Sequence, residues 1–241
     1  MRELAIIIPM YNEEANAERC VREVCSVLCE HQPGTELFVV NDGSSDRTAE
    51  ILGQLSNERL PFRWLNYSPN RGYGGALVAG MKAAHQAGFV YGLVMDSDLT
   101  NDPALIPQFA AKLSSGTYDV VKASRYIPGG GMEGVPVYRQ MYTIIGNRIA
   151  AALFRMGIRD CTNGFHAVRL ALISDVQFVE RGFPFLLEEL YVLKCRRARA
   201  TEIPYILKSR AADEGESKFT YRPAVLWAYL KYALRAAIVW Q

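Results

Sequence analysis

The chain lacks several features that would otherwise decide its class. Its five cysteines, Cys20, Cys25, Cys29, Cys161 and Cys195, include no C-x-x-C pair. An odd set without that spacing offers neither a disulfide framework nor a zinc site. The opening segment 1–8 is too short for a secretory signal, so the expected setting is a reducing cytosol. Cys25 and Cys29 lie one helical turn apart without further metal-type partners and read as small buried apolar side chains. Charge of one sign is also missing: 27 Lys and Arg stand against 25 Asp and Glu, a net +2. With no basic stripe interleaved with aromatics, this argues against nucleic acid as a partner. There is no internal repeat and no low-complexity linker. The glycine turn at 70–76 lacks the G-x-G-x-x-G spacing and the acidic residue expected about 20 positions on, so it is not a dinucleotide fingerprint.

What remains is an ordinary globular composition, 50% apolar and 22% charged over 241 residues, near the upper end for one core. Apolar runs at 4–9, 36–41, 62–67, 89–95 and 119–124 read as strands with helices between them. That alternation predicts an α/β fold with right-handed crossovers and a doubly wound, mostly parallel central sheet flanked by helices. After Tyr126 the pattern changes to a Gly-rich loop, helices near 139–154 and 186–197, and a strand near 203–207.

The most informative stretch is Val94-Met95-Asp96-Ser97-Asp98, where an apolar run ends in two carboxylates one residue apart. Ligands of parallel sheets bind beyond the carboxyl ends of the strands. Two hard oxygen ligands cannot cage Mg²⁺ or Mn²⁺ alone, so water and substrate phosphates must complete the shell. The implied partner is a diphosphate. Further apolar runs end similarly in Pro9-Met10-Tyr11-Asn12-Glu13, in Asn41-Asp42-Gly43-Ser44-Ser45-Asp46-Arg47-Thr48 and in Ser124-Arg125-Tyr126, while the turn 70–76 feeds a helix of small residues. A helix capped by Ser45 or Asp46 is expected after the second of these.

These segments, with Asn163-Gly164-Phe165 and Gly215-Glu216-Ser217-Lys218, resemble the ordered motifs of family 2 glycosyltransferases over roughly 4–218. Within that family they look most like dolichyl-phosphate mannose synthases and bacterial polyprenyl-phosphate glycosyltransferases. The resemblance implies a GT-A fold, a metal-dependent nucleotide-sugar donor, GDP- or UDP-linked, and inversion at the anomeric carbon. It implies that Pro9, Tyr11, Glu13, Asp42, Asp96 and Ser217 line the nucleotide site, with helix-end capping as the plainer role for Glu13 and Asp42. Asp96 and Asp98 would hold Mg²⁺ or Mn²⁺. Asn41 replaces the family's usual aspartate. Thr100 stands where mannose-branch synthases carry glutamine, which leaves its hydroxyl to coordinate through water. His166 stands where arginine is frequent and reads as a packed or surface histidine.

Arg125, Arg210, Ser217 and Lys218 are the candidates for a mobile clamp on the phosphates, with 211–215 closing over bound donor to exclude water. Glu188 lies on the helix that carries the general base in hydroxyl-accepting relatives, yet a glutamate also matches there in the polyprenyl-phosphate branch. The reading is thus a single unit: a nucleotide-sugar-binding half at 1–125, an acceptor-side half at 126–221 and an amphipathic helix at 222–241. It would move a hexose to a polyprenyl phosphate at the cytoplasmic face of the membrane. Transfer to a saccharide or small-molecule hydroxyl is the nearest rival. A non-catalytic sugar-nucleotide-binding regulator is the rival of another class, separated by a donor-hydrolysis assay with added metal. In the terminus, Lys231 and Arg235 share one helical face among apolar residues. The segment is short of the roughly 20 residues that span a bilayer, and a membrane surface is the further partner it suggests.

Overall fold

A computed structural model of the chain describes residues 2–208 and 223–239. The first half runs β1 (Arg2–Met10), α1 (Ala17–His31), β2 (Glu36–Asp42), α2 (Thr48–Leu55), β3 (Phe62–Tyr67), α3 (Gly72–Gln86), β4 (Phe89–Val94), α4 (Ile106–Ser114) and β5 (Val120–Ser124). The second half runs β6 (Gly131–Glu133), α5 (Val137–Phe154), β7 (His166–Arg169), α6 (Phe185–Cys195), β8 (Ala200–Pro204), β9 (Ile206–Lys208) and α7 (Pro223–Ile238). Seven strands form one sheet in the order β3-β2-β1-β4-β7-β5-β8, while β6 and β9 pair separately. Among the described strands only β7 runs antiparallel to its neighbours, β4 and β5.

The order explains where a ligand would sit. From β1 the chain steps outward to β2 and β3, then returns through α3 to β4 on the opposite side of β1. That reversal between β1 and β4 is the switch point at which doubly wound sheets open a crevice. β1 and β4 are buried on both faces, with Ala5, Ile6, Ile7, Ile8, Leu93 and Val94 all at 0% exposure, which is why they read as continuous apolar runs.

The helices obey the same logic. α1 buries Ala17, Cys20, Val21, Val24, Cys25 and Leu28, a repeat of three and four that lays one stripe on the sheet. Cys25 is buried as expected, but Cys29 falls off that stripe and is exposed, so the pair divides between core and solvent. The strand expected over 203–207 is interrupted at Tyr205, whose ring turns into the core beside Phe165.

α3 is built of small residues because it lies almost on the sheet. A Cβ on Gly80 would stand 2.6 Å from Ile7 Cγ2 and 3.0 Å from Val40 Cγ2. Gly80→Ala is therefore expected to destabilise by about 1–3 kcal/mol through overpacking. Gly146→Ala on α5, with nothing within 4 Å of the added carbon, should be neutral or stabilising by up to about 1 kcal/mol. Urea unfolding of both variants checks this, and equal midpoints would contradict the close packing.

Candidate active site at the carboxyl edge of the sheet

The loops after β1 and β2 are laced together before any ligand is considered. Asn12 adopts φ +53°. Its amide donates to Ser44 Oγ at 2.9 Å and its Oδ1 accepts from the Ser45 amide at 2.9 Å. The Glu13 amide donates to Thr48 Oγ1, and the Arg47 amide to Glu14 Oε2. Asp46 Oδ1 accepts from the Thr48 amide at 3.0 Å, giving α2 the cap expected of it. Pro9 pairs with Val40 across the sheet, and Tyr11 stands 43% exposed at the strand end. Glu13 meanwhile starts α1: its carbonyl accepts from the Asn16 and Ala17 amides, and its Oε2 from Asn16 Nδ2.

Asp42, 3% exposed, spends both carboxylate oxygens on the start of α3. Oδ1 accepts from the Arg71 amide and Oδ2 from the Gly72 amide, each at 2.8 Å. A carboxylate there satisfies two of the donors a helix start leaves open and complements its positive end. Asp42 thus takes the plainer helix-capping role, with Arg71 stacked 4.0 Å over the Tyr67 ring beside it. Asn41 is held by Asn66 Oδ1 at 2.8 Å and takes Ser44 Oγ as a donor.

The turn after β4 carries the two carboxylates. The Asp96 amide donates to Asn101 Oδ1 at 2.7 Å, which closes the turn on itself. Leu99 accepts the left-handed φ of +58° this requires, a conformation costing a branched residue about 1–2 kcal/mol. Asp98 Oδ1 accepts from both the Thr100 amide at 3.0 Å and the Thr100 hydroxyl at 2.7 Å. The Thr100 hydroxyl, a candidate for coordination through water, fixes the rotation of the Asp98 carboxylate. The Tyr73 hydroxyl hydrogen-bonds Asp96, and burial, followed by the Asp96 charge, pushes its ionisation well above the ordinary range. Tyr205 donates to the Thr100 carbonyl at 2.7 Å and is likewise raised, first by burial.

The donor set decides which cation fits. Asp96 and Asp98 offer oxygen only, and among the described residues no group of three or more His, Cys, Asp or Glu side chains converges. Two braced carboxylates beside a crevice suit Mg²⁺ or Mn²⁺, whose other positions go to water and phosphate, and do not suit zinc. A cleft of about 560 Å³ opens beside this turn, lined among others by Arg19, Asp98, Thr100, Tyr205 and Lys208.

The segments after β5 depart further from expectation. Arg125 emerges from β5 as anticipated, but its guanidinium forks onto Asp160, Nε to Oδ2 at 2.7 Å and Nη2 to Oδ1 at 2.8 Å. The Asp160 side chain is fully buried and that of Arg125 only 11% exposed. Burial works against the charge, and Asp160 overrides it to keep Arg125 above its usual range. Arg125 is thus a fixed cation and not part of a mobile clamp. Arg210, Ser217, Lys218 and the 211–215 loop lie outside the described residues.

Glu188 is equally committed. Its oxygens accept from the Val179 amide at 3.0 and 3.1 Å and from the Glu180 amide at 2.8 Å. His166 is packed in the core, Nδ1 2.7 Å from the Gly164 carbonyl and Nε2 2.6 Å from Glu189 Oε2. Nearby, burial lowers the Lys122 ammonium below its ordinary range while its Nζ donates to the Asn163 carbonyl. Tyr73, Asn101, Asp160 and Tyr205 escaped sequence reasoning. Only Asn101 and Tyr73 sat inside recognisable motifs; the partners of the other two lie 35 to 105 residues away.

Comparison with known proteins agrees with this architecture. Residues 5–176 match the sequence model of glycosyl transferase family 2. A dolichol-phosphate mannosyltransferase of Pyrococcus furiosus is 32% identical over 236 residues, 97% of this chain and 63% of that protein. The chain therefore spans under two thirds of that relative. An undecaprenyl-phosphate mannosyltransferase of Micrococcus luteus is 27% identical over 91% of this chain and 88% of its own length. Among solved structures, glucosyl-3-phosphoglycerate synthase of Mycobacterium tuberculosis with UDP superposes at a TM-score of 0.68 and 20% identity, covering 100% of this chain and 82% of that one. The same enzyme with Mg²⁺ and UDP also gives 0.68. This likeness carries the GT-A fold.

The buried pair sets a stability test. Arg125→Ala strands the Asp160 carboxylate and should destabilise by about 3–5 kcal/mol, while adding Asp160→Ala should restore part of the loss. Chemical unfolding of the two variants measures it; a single-variant loss below about 1 kcal/mol would mean the pair is solvated.

Proposed function

The chain belongs to glycosyl transferase family 2, and from that premise we propose that it moves a hexose from a GDP- or UDP-linked donor to a polyprenyl phosphate, inverting the anomeric carbon. The observation that carries this is the braced Asp96–Asp98 turn at the switch point, opposite the laced loops after β1 and β2. The named activities of the Pyrococcus and Micrococcus relatives support the acceptor class. The metal complexes of the mycobacterial enzyme support the cofactor.

In this reading the half at 1–125 binds the donor and that at 126–221 the acceptor. Pro9, Tyr11, Glu13 and Asp42 border the nucleotide. Asp96 and Asp98 would hold Mg²⁺ or Mn²⁺, which would offset the charge of the donor diphosphate. Arg210, Ser217 and Lys218 gather phosphate oxygens around the bound pair. The acceptor phosphate oxygen attacks the anomeric carbon in line. The bond to the diphosphate breaks on the opposite face, and its electron pair leaves with the nucleoside diphosphate. No proton need be removed from the attacking oxygen, because a phosphate monoester is already anionic. Positioning and fixed charge then supply most of the rate. Peripheral attachment at the cytoplasmic face of the membrane places the chain beside such an acceptor. Among the described residues no helix is long and apolar enough to cross a membrane.

Asp98→Ala should lower turnover at least 10²-fold, because a lost ligand removes several kcal/mol of transition-state stabilisation. Product detection by mass, across a panel of nucleotide sugars and short polyprenyl phosphates, measures this and identifies the donor. Full activity of the variant in excess EDTA would remove the metal assignment.

Glu188→Gln tests the acceptor. Replacing one oxygen by an amide sets N–H against N–H at Val179 or Glu180, so stability should fall by about 1–3 kcal/mol. Turnover should stay within roughly tenfold, since a positioned base contributes about 10²- to 10⁴-fold and none is required here. The wild-type rate should rise with pH through about 6, the second ionisation of the acceptor. A loss beyond 10²-fold, with disappearance of a basic limb owed to an enzyme carboxylate, would move the acceptor to the hydroxyl class.

A further inference from the structure

The chain leaves the large sheet at Tyr205, and that corner has a chemical use. β8 ends at Pro204 on the seven-stranded sheet and β9 begins at Ile206 on the two-stranded ribbon, so Tyr205 stands between them. Both of its main-chain groups are taken. Its amide donates to the Ser124 carbonyl of β5, and its carbonyl accepts from the Gly131 amide of β6, each at 3.0 Å. The residue is 2% exposed, and its ring meets Phe165 edge-on at 5.7 Å, with Phe109 4.8 Å from Phe165 behind it. A ring anchored by its backbone and packed among other rings keeps one rotamer, so its hydroxyl is delivered to one place.

That place is the turn after β4. The hydroxyl donates to the Thr100 carbonyl at 2.7 Å, and Asn101 Nδ2 stands 3.4 Å from the same oxygen. Each contact leads on to one carboxylate residue. Thr100 gives its amide and its hydroxyl to Asp98 Oδ1, while the buried Asn101 takes the Asp96 amide on Oδ1 at 2.7 Å. One phenol therefore holds both residues that shape the pair. The turn needs such support from outside, because Leu99 within it sits at φ +58°. A residue in that region persists only where its surroundings over-determine it, and Tyr205 supplies a contact from 105 positions away. We infer that Tyr205 is a positioning residue for the divalent cation, fixing Asp96 and Asp98 relative to each other through Asn101 and Thr100. This rests on the assignment of those two carboxylates to Mg²⁺ or Mn²⁺, and it adds the residue that keeps them in register. Two ligands fixed in advance lose less freedom when the ion arrives, so the brace acts on affinity for the metal.

The test titrates Mn²⁺ onto the chain with GDP or UDP present and reads the free ion by electron paramagnetic resonance. Tyr205→Phe removes the oxygen and leaves the ring, and Asn101→Ala removes the other half of the contact, which carries the reading should the first variant not fold. Tyr91→Phe is the control: it deletes a phenol oxygen bonded to the Tyr118 carbonyl at the far end of β4. Melting curves accompany all three. Tyr205→Phe and Asn101→Ala should each weaken Mn²⁺ binding by about 10- to 100-fold, the range that follows loss of a group supporting a metal ligand. Their combination should fall short of the product, since both act on one turn. Tyr91→Phe should bind Mn²⁺ like wild type whatever its melting temperature, and excess Mn²⁺ should restore the turnover of Tyr205→Phe. The inference is overturned if Tyr205→Phe folds and binds Mn²⁺ like wild type, if Tyr91→Phe loses as much, or if wild type takes up no Mn²⁺. Hexose transfer separates it from the proposed function. Weakened Mn²⁺ binding in variants of a chain that transfers nothing keeps the brace and removes that function; transfer by wild type with Mn²⁺ affinity unmoved in the variants does the reverse.

Discussion

Two amide hydrogen bonds to Asp42 hold the rest of the site in place. They fasten the start of α3 to the end of β2, and from there the chain is committed on the other side as well. Gly72 sits at φ +80°, where a Cβ would stand 2.5 Å from the Arg181 carbonyl. The Gly74 amide donates to that same carbonyl at 2.8 Å. The loop around 178–183 is therefore clamped to the start of α3 by main-chain groups. Glu188 of α6 grips it again at Val179 and Glu180, and Lys231 and Tyr232 of α7 grip the Glu180 side chain. The glycines of this turn are required because two backbones meet with no room between them.

A second knot stands at the end of β5, of a different physical kind. Burying a guanidinium with a carboxylate adds little net stability, since desolvation offsets most of the attraction. What the Arg125–Asp160 pair provides is direction. The Arg125 amide also donates to Asp160 Oδ2, and the Arg159 and Asp160 amides donate to Glu202 Oε1, so β5, β8 and the segment before β7 share one register. A charge fixed in this way need not reorganise when charge develops on a substrate, which is the condition under which a preorganised dipole or ion lowers a barrier most.

Strand ends were legible because their signals are local. An apolar run, a Pro or Asp-Gly turn and an acid within ten residues located β1, β2, β4 and β5 and set four loops on one edge. β7 was not legible: four residues, His-Ala-Val-Arg, with a histidine at 1% exposure, give neither alternation nor length. Nor was the engagement of Arg125, since nothing near Asp160 marks it as the partner of a residue 35 positions earlier. The exposed apolar stripe of α5, Val137, Tyr138, Met141, Tyr142, Ile145 and Ile149, was hidden for a related reason. An apolar helix reads the same whether its face meets the core or solvent, and only the packing of Asn147, Ala150 and Phe154 shows which residues are left outside.

The distribution of commitments bears on the chemistry. A hydroxyl acceptor asks for a carboxylate that faces the attacking oxygen and is at liberty to take its proton. Among the described residues, four acids after β5 are engaged elsewhere: Glu188 by two main-chain amides, Asp160 by Arg125, Glu202 by the amides of 159 and 160, and Glu189 by His166 at 2.6 Å. Freeing any of them would leave buried donors unsatisfied, at about 1–3 kcal/mol each. An acceptor that arrives already anionic makes no such demand. It asks for cations held at a set distance, and a site in which these four acids are given to architecture is suited to that arrangement.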